Sequence, residues 1–127
     1  MRSMLSLVVF AFTLAVAWPG VAGEVVLRGQ FEGRSSHATS GTATVETSAG
    51  GAMVVLGADF SLDGAPDPKV GFGRDGVYDP SAQLEALKSN TGRQEYRVPE
   101  SIDPTRYNEL YIWCERYKVP LGVAKLN

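Results

Sequence analysis

The sequence predicts an all-β domain, folded as an antiparallel β-sandwich or barrel of about seven or eight short strands. Two observations indicate this fold class. Apolar and polar residues alternate with a period of two in several short segments, which is typical of half-buried strands. Clusters of glycine, proline, aspartate and serine separate these segments at short intervals, as turns do in such folds.

The chain begins with a segment that predicts export. Met1-Arg2 precedes an apolar run from Met4 to Trp18, and small residues follow up to Gly23. This order is typical of a secretory signal peptide, which we assign to residues 1–23. The run is shorter than the ~20 apolar residues that span a bilayer, so we expect no stable membrane anchor after cleavage. The protein is therefore expected to be secreted or periplasmic.

Residues 24–127 form the predicted domain, and their composition restricts its partners. About 104 residues suit one small domain. Without Arg2 the chain keeps 11 of its 12 basic residues against 14 acidic residues, a formal charge of −3. The absence of a basic patch argues against nucleic acid as a partner. The single cysteine, Cys114, excludes an intramolecular disulfide, so the core alone must hold the fold.

Three strands are predicted in the first part of the domain, within residues 24–60. The segment EVVLRGQFE at the start of the domain alternates so that Leu27, Gly29 and Phe31 share a face with Val25. The segment TATVET repeats this pattern, and the turn residues SAGG separate it from the apolar run AMVVLGADF. Two strands joined by a short glycine-rich link predict a hairpin.

The middle of the chain leaves two alternatives open. A short strand is predicted at residues 70–72, and residues 73–92 follow without a clear period. Asp79-Pro80 suits the start of a short helix through Leu84 and Leu87, because aspartate favours the N-cap and proline the first turn. The same two leucines also suit a loop or an irregular strand.

The rest of the chain predicts short elements separated by turns. Residues 63–68, DGAPDP, form a turn cluster, and RQEYRVP, residues 93–99, is expected to be extended. Asp103-Pro104 predicts a single helical turn. The last two strands are predicted from Glu109 to Glu115 and from Leu121 to Leu126.

A set of residues spread over almost the whole domain matches, in its types and order, the pattern of a known family. The matching positions are Gly29, Phe31, His37, Ser40, Gly41, Asp59, Phe60, Gly64, Pro66, Asp67, Leu84 to Lys88, Asn90, Gly92, Gln94, Tyr96, Pro99, Tyr107, Ile112, Trp113, Cys114, Val119, Gly122, Ala124 and Leu126. In this order they resemble the DM-thirteen domain, an extracellular β-rich module often found beside DOMON domains. The Trp-Cys element followed by Gly-x-Ala-x-Leu is the most specific part. One departure is Pro68-Lys69-Val70-Gly71, where the family usually has a tyrosine-rich, aliphatic strand.

The resemblance implies a role in electron transfer. The family's cysteine is suggested to act as a bare thiol or as a ligand to a prosthetic group such as haem, and its match here is Cys114. Trp113 and Tyr111 are then neighbouring packing or electron-relay residues, and Asp67 of the Pro-Asp pair is a supporting residue. The cofactor is otherwise unknown, and the expected partner is an electron-transfer partner or another protein that the sequence does not identify.

The residues around Cys114 allow a second interpretation. In a strand, Cys114 shares a face with Leu110 and Ile112, while Tyr111 and Trp113 point the other way. The aliphatic face favours burial, and a buried cysteine commonly behaves as a small, unreactive hydrophobe. Function requires access, so a functional thiol is expected to face an internal pocket.

His37, the only histidine, is a second candidate ligand. Imidazole and thiolate both serve as axial ligands of haem, so one hypothesis brings His37 and Cys114 together around a cofactor. The alternative is that His37 caps its own loop, which contains Ser35, Ser36, Thr39 and Ser40, through hydrogen bonds.

Three other patterns carry less weight. Gly71 to Gly76 matches G-x-G-x-x-G, but Tyr78-Asp79-Pro80 follows where a dinucleotide-binding fold needs a helix, so a turn is expected. Ser35 and Ser36, next to His37, do not lie in the nucleophile-elbow motif of a hydrolase, so a hydrolase site is not expected. Asp59, Asp63 and Asp67 lie four apart, which differs from a calcium-loop spacing, and no metal site is assigned.

Two functions of different classes follow. The first is an exported redox or electron-transfer module that uses the Cys114 thiol or a cofactor bound through it. It would be an accessory rather than a turnover enzyme, because no triad or carboxylate pair emerges. The alternative is a non-catalytic extracytoplasmic binding module in which Cys114 belongs to the core. The loops at residues 35–40 and 63–67 would then contact the partner.

Overall fold

The computed structural model describes residues 23–127. The predicted signal peptide, apart from Gly23, lies outside the described residues, so that assignment stays a prediction.

The described chain is almost entirely antiparallel β-structure, which confirms the predicted fold class. Eight strands form one sheet in the order β7-β6-β9-β10-β1-β3-β4-β8, while β2 and β5 form a small second sheet. The outer strands β7 and β8 approach each other, so the main sheet is nearly closed into a barrel. The strands are β1 (Glu24–Gly33), β2 (Thr39–Ser40), β3 (Thr42–Ser48), β4 (Gly51–Leu56), β5 (Ser61–Leu62), β6 (Pro68–Arg74), β7 (Val77–Ala86), β8 (Gln94–Val98), β9 (Glu109–Cys114) and β10 (Val119–Lys125).

The period-two pattern correctly predicts which residues enter the core. On β3, Ala43 and Val45 are fully buried, and on β9 the same is true of Leu110 and Ile112. Each large apolar side chain buried in this way contributes about 1.5–3 kcal/mol of transfer free energy. On β1 the alternation fails near its start, where a bulge shifts the pairing and Val25 is left exposed.

The hairpins have the turn residues that their geometry requires. β3 and β4 pair directly from Ser48 to Gly51, which confirms the hairpin predicted at SAGG. β6 and β7 are joined by Asp75 and Gly76, which both have positive φ, as a two-residue type I′ turn requires. The literal G-x-G-x-x-G stretch therefore runs from a strand into a turn, as expected.

Residues 77–86 form a strand, so the helix alternative for this segment is wrong. Asp79 does cap the residues after it, because its carboxylate accepts hydrogen bonds from the backbone N–H and hydroxyl of Ser81. The chain nevertheless stays extended, since it pairs with β6 through two register shifts. Pro80 is tolerated because β7 is an outer strand, whose second edge needs no ladder donors.

Two later predictions can be compared directly with the structure. The helical turn after Asp103 is confirmed as a 3₁₀ turn at Pro104–Arg106, with the Asp103 carboxylate accepting from the Thr105 N–H at 3.0 Å. The last strand begins at Val119, two residues earlier than predicted. Pro120 fits inside it because a bulge interrupts the pairing between Pro120 and Gly122. Among the described residues, no helix is long and apolar enough to span a bilayer.

Candidate functional site

Cys114 is the last residue of β9 and belongs to the core. It lies between Val119 of β10 and Pro68 of β6, its direct partners in the sheet. Its side chain is 1% exposed, and Sγ donates a hydrogen bond to the carbonyl oxygen of Pro66 at 3.2 Å. Leu110 and Ile112 point into the same core, as the alternation predicted. A reagent in solution therefore has no direct contact with the sulfur in this arrangement.

The loop from Asp63 to Asp67 covers the end of β9 at which Cys114 lies. Besides the contact from Cys114, the N–H of Glu115 donates to the carbonyl oxygen of Asp67 at 3.1 Å. Asp67 has a positive φ of 50°, and its carboxylate forms an ion pair with Lys69 at 3.0 Å. The backbone of Asp67 therefore lies beside the end of β9 that carries the cysteine, while the charge of the Asp67 carboxylate is balanced by Lys69.

His37 contacts the other end of the same loop. Its Nδ1 lies 2.8 Å from Oδ1 of Asp63, and Oδ2 of Asp63 accepts from the Ala38 N–H at 3.0 Å. The Ala38 N–H, and after it the imidazole of His37, lower the pKa of Asp63. The carboxylate is therefore ionised at neutral pH, and it ties the loops at residues 35–40 and 63–67 together.

The arrangement does not fit a haem held between Cys114 and His37. The sulfur is packed in the core with Pro66 as its hydrogen-bond partner, so an iron atom has no space beside it. Nδ1 of the imidazole is held by Asp63, which leaves Nε2 as the ring nitrogen that could face an iron. A haem needs open space at the iron-facing atom of each axial ligand. We therefore assign no step to haem, and the pairing of these two ligands stays a prediction.

On the opposite face of β9, two of its aromatic rings pack against one ring from β7. These three residues, here called the outer aromatic cluster, are Tyr78, Tyr111 and Trp113. Tyr78 and Trp113 are stacked, with centroids 4.3 Å apart and planes 10° apart. Tyr111 meets both rings edge-on, at 5.5 Å from Tyr78 and 6.4 Å from Trp113. Tyr78 and Tyr111 are buried, and Trp113 is half-buried. The cluster is a small apolar layer on the outside of the barrel.

Two glycines of β6 make room for the cluster. A Cβ on Gly71 would lie 2.8 Å from the hydroxyl oxygen of Tyr78, and a Cβ on Gly73 would overlap the ring of Tyr111. Real Cβ atoms do not approach heavy atoms so closely, so only glycine permits these rings to lie on the strand. The G-x-G pair thus has a packing role that was not predicted from the sequence.

A surface cleft of about 520 Å³ opens beside the outer aromatic cluster. Its walls are the three rings, two prolines, two valines and Gly76, with the polar side chains of Arg34 and Glu109 between them. Arg34 donates to the carbonyl oxygen of Gly33 at 3.0 Å. A cleft that is mostly apolar with a few polar groups is the usual form of a small-molecule or partner site.

Glu109 is the buried carboxylate of this cleft, at 7% exposure. Its Oε1 accepts a hydrogen bond from the N–H of Gly76 at 2.6 Å and a longer one from the hydroxyl of Tyr111 at 3.3 Å. Burial, followed by the charge of Glu109, raises the pKa of Tyr111 to about 12. Burial, followed by the charges of Glu115 and Asp79, also raises the pKa of Tyr78. Both phenols therefore keep their protons at neutral pH.

The sequence prediction identified Tyr111 and Trp113 but missed Tyr78, Glu109, Gly71 and Gly73. The packing role of the two glycines could have been predicted from their alternation with Val70 and Phe72, which leaves one face of β6 without side chains. Bare glycines in a strand commonly lie under aromatic rings of the neighbouring strands. The strand that supplies Tyr78 could not be identified, because Asp79-Pro80 also suited a helix.

The carboxylates near these sites are used in separate hydrogen bonds. Asp59 accepts from the N–H and the hydroxyl of Thr42, at 2.9 Å each, while Asp63 is engaged by the loop of His37. Within residues 23–127, no group of three or more histidine, cysteine, aspartate or glutamate residues is arranged to hold a metal ion.

Comparison with known proteins supports an electron-transfer assignment. The model of the family described as "Electron transfer DM13" matches residues 30–126, which is more than half of the chain. No curated protein and no solved structure matches the chain. The matched range includes Cys114, His37 and the whole outer aromatic cluster.

Proposed function

We propose that this chain, which belongs to the DM13 family of electron-transfer domains, works outside the cytoplasm as a redox module whose electron-transfer group is Cys114. Export is supported by the signal-peptide pattern of residues 1–23. The role of Cys114 is supported by the family match, since Cys114 is the only thiol in the chain.

One observation carries the proposal. The buried Cys114 is covalently adjacent to Trp113, whose ring stacks on Tyr78 at the wall of the surface cleft. An electron can therefore pass from the core through the β9 backbone to the aromatic side chains at the surface, while the thiol itself stays shielded from solvent. This resolves the conflict between burial and function, because electron transfer does not require the partner to touch the sulfur.

The proposal is tested by oxidation of the anaerobic protein with hexachloroiridate, an anionic one-electron oxidant. Thiol content is then counted after denaturation, so that burial does not hide unreacted sulfur. We expect the wild-type protein to lose its titratable thiol. Trp113→Leu removes the ring that connects the β9 backbone at Cys114 to the cleft, and we expect it to slow this loss markedly.

Tyr117→Leu is the matched control, because Tyr117 is an exposed aromatic residue in the β9–β10 turn, outside the cluster. Its loss of thiol should follow the wild-type rate. If all of the thiol remains titratable in the wild-type protein after the oxidant has been consumed, Cys114 is not the redox group.

A second candidate function is supported by the contact between two loops. The loops at residues 35–40 and 63–67, which the sequence suggested as a binding surface, meet through His37 and Asp63 and through the N–H of Asp63, which donates to the carbonyl oxygen of Ala38 at 3.0 Å. In this function the burial of Cys114 and its bond to Pro66 are purely structural. An oxidant-resistant thiol in a protein that keeps its fold would favour this binding module over the redox module.

A further inference from the structure

We infer that Glu109 is the proton acceptor for one-electron oxidation of Tyr111, so that the outer aromatic cluster transfers a proton together with the electron. The inference rests on the proposed electron-transfer function, and it names the groups through which the electron and the proton leave. It adds a role for Glu109, which is otherwise only a buried polar residue among aromatic rings.

The geometry places one basic atom at the phenol. The hydroxyl of Tyr111 donates to Oε1 of Glu109, and the N–H of Gly76 holds the same oxygen at 2.6 Å. The separation of 3.3 Å between phenol and carboxylate is longer than the usual O–H···O distance, so the bond is weak in the resting state. Because the Gly76 N–H anchors the carboxylate, the acceptor is already in position when the proton becomes acidic on oxidation.

The state of the phenol before oxidation requires such an acceptor. With its pKa raised to about 12, Tyr111 is protonated at neutral pH and must lose that proton as it loses an electron. Both Tyr111 and Glu109 are more than nine-tenths buried, so direct transfer to bulk water is hindered. A positioned carboxylate is then the nearest available base.

The step is balanced as follows. Tyr111 gives one electron, through the stacked rings of Tyr78 and Trp113, to a one-electron acceptor docked at the cleft. Its O–H bond breaks and the proton passes to Oε1 of Glu109, leaving a neutral tyrosyl radical and a neutral carboxylic acid. A one-electron donor docked at the same cleft returns the electron, and the same proton passes back from Glu109 to the phenol oxygen, which restores both side chains.

A second phenol in the protein offers a matched comparison. The hydroxyl of Tyr107 donates to Oδ2 of Asp79 at 2.6 Å, so it also has a carboxylate partner. Its ring, however, stacks on Phe72 of the core, with centroids 5.5 Å apart, and it is not one of the three cluster rings. Tyr107 therefore shares the chemistry of Tyr111 but not its place in the cluster.

The test is flash photolysis with tris(bipyridine)ruthenium and an irreversible electron quencher, which generates a strong one-electron oxidant in solution. All proteins in this test carry Tyr117→Phe, because the exposed Tyr117 would otherwise be oxidised directly by the reagent. In this background we expect a tyrosyl radical with no further change and with Tyr107→Phe, and none with Tyr111→Phe, where the radical should stay on Trp113. Glu109→Gln keeps an oxygen for the Gly76 N–H but is not basic. It should slow tyrosyl formation by about 100-fold, the typical contribution of a positioned base.

The solvent isotope effect provides a readout that needs no change within the outer aromatic cluster. Tyrosyl formation should be slower in D₂O than in H₂O in the Tyr117→Phe background, because the O–H bond breaks in the same step. Unchanged tyrosyl kinetics in Glu109→Gln, or a tyrosyl signal that survives in Tyr111→Phe, would overturn the inference.

The same experiment separates this inference from the function on which it rests. A protein with Tyr117→Phe alone that forms only an indole radical at Trp113 contradicts the role of Tyr111 and Glu109 while leaving the electron-transfer function intact. A protein in which neither ring is oxidised contradicts both.

Discussion

At the scale of single residues, Cys114 shows how far a local pattern determines an environment. Alternation alone predicted that the thiol shares the aliphatic face of β9, and it is buried with Leu110 and Ile112. Its hydrogen-bond partner could not be predicted, because Pro66 is far away in sequence and is brought to the sulfur only by the β6–β9 pairing. The same holds for His37, whose partner Asp63 lies 26 residues further along the chain.

The carboxylate of Asp63 should make the stability of the protein depend on pH in a defined direction. Its pKa is lowered in the folded state, so its contribution is complete above the ordinary carboxyl pKa of about 3.9 and is lost as the pH falls through the lowered value. We expect Asp63→Asn to be less stable than the wild type at neutral pH. The difference in free energy of unfolding, measured with urea, should shrink as the pH is lowered through the acid range.

Asp67→Asn serves as the comparison for that measurement, since it removes a charge from the same loop without touching the contacts of Ala38 and His37 with Asp63. A gap between Asp63→Asn and the wild type that widens toward low pH would contradict the assignment.

At the scale of elements, β6 shows that the absence of side chains on one face of a strand can itself be a structural requirement. Val70 and Phe72 fill the core, while Gly71 and Gly73 leave the outer face flat enough for the rings of Tyr78 and Tyr111. The neighbouring strand β7 keeps its extended form despite Asp79-Pro80, because pairing with β6 outweighs the local preference for a helix start. Local propensity alone could not decide this competition.

Gly73→Ala is expected to disturb the outer aromatic cluster. The new methyl group would overlap the ring of Tyr111 and lie 2.6 Å from the carbonyl oxygen of Val77, and backbone cannot move aside cheaply. Overpacking of this kind typically costs about 1–3 kcal/mol of unfolding free energy. Urea unfolding would measure the loss, and near-UV circular dichroism would report the displaced rings.

Gly50→Ala is the matched control, because the nearest atom to its new methyl group would be Oγ of Ser48 at 3.8 Å. A surface change of this kind should stay within about 0.5 kcal/mol. Equal losses from the two substitutions would mean that the cluster does not depend on the bare face of β6.

At the scale of the whole molecule, the main sheet is nearly closed by side chains where strand pairing ends. Tyr96 of β8 is fully buried, and its hydroxyl accepts from the N–H of Lys88, which follows β7, at 2.8 Å. The same hydroxyl donates to Oε1 of Gln94 at 2.5 Å. The bond from Lys88 connects β8 to the chain just after β7, and it helps to cover edges that would otherwise be open to other chains.

Tyr96→Phe is expected to weaken this closure. Removing the hydroxyl leaves the Lys88 N–H and the Gln94 side chain without this partner, which typically costs about 1–3 kcal/mol. We expect faster hydrogen exchange at the Lys88 amide together with a lower urea midpoint. Tyr117→Phe, which changes an exposed tyrosine, should alter neither, and full protection of Lys88 in Tyr96→Phe would refute the role of the hydroxyl.

The fold class, most strands and the buried side of β9 could be predicted from the order of the residues, because a period of two and turn-forming residues are local signals that survive in any all-β arrangement. Which residues share a site depends on how the strands pair in three dimensions. Glu109 and Tyr111 are neighbours on one face of β9, but Tyr78 of β7 joins them only when β6 pairs with both β7 and β9. Since strand order and register depend on long-range pairing, a sequence pattern that is read locally does not contain the complete aromatic cluster or the loop that covers Cys114.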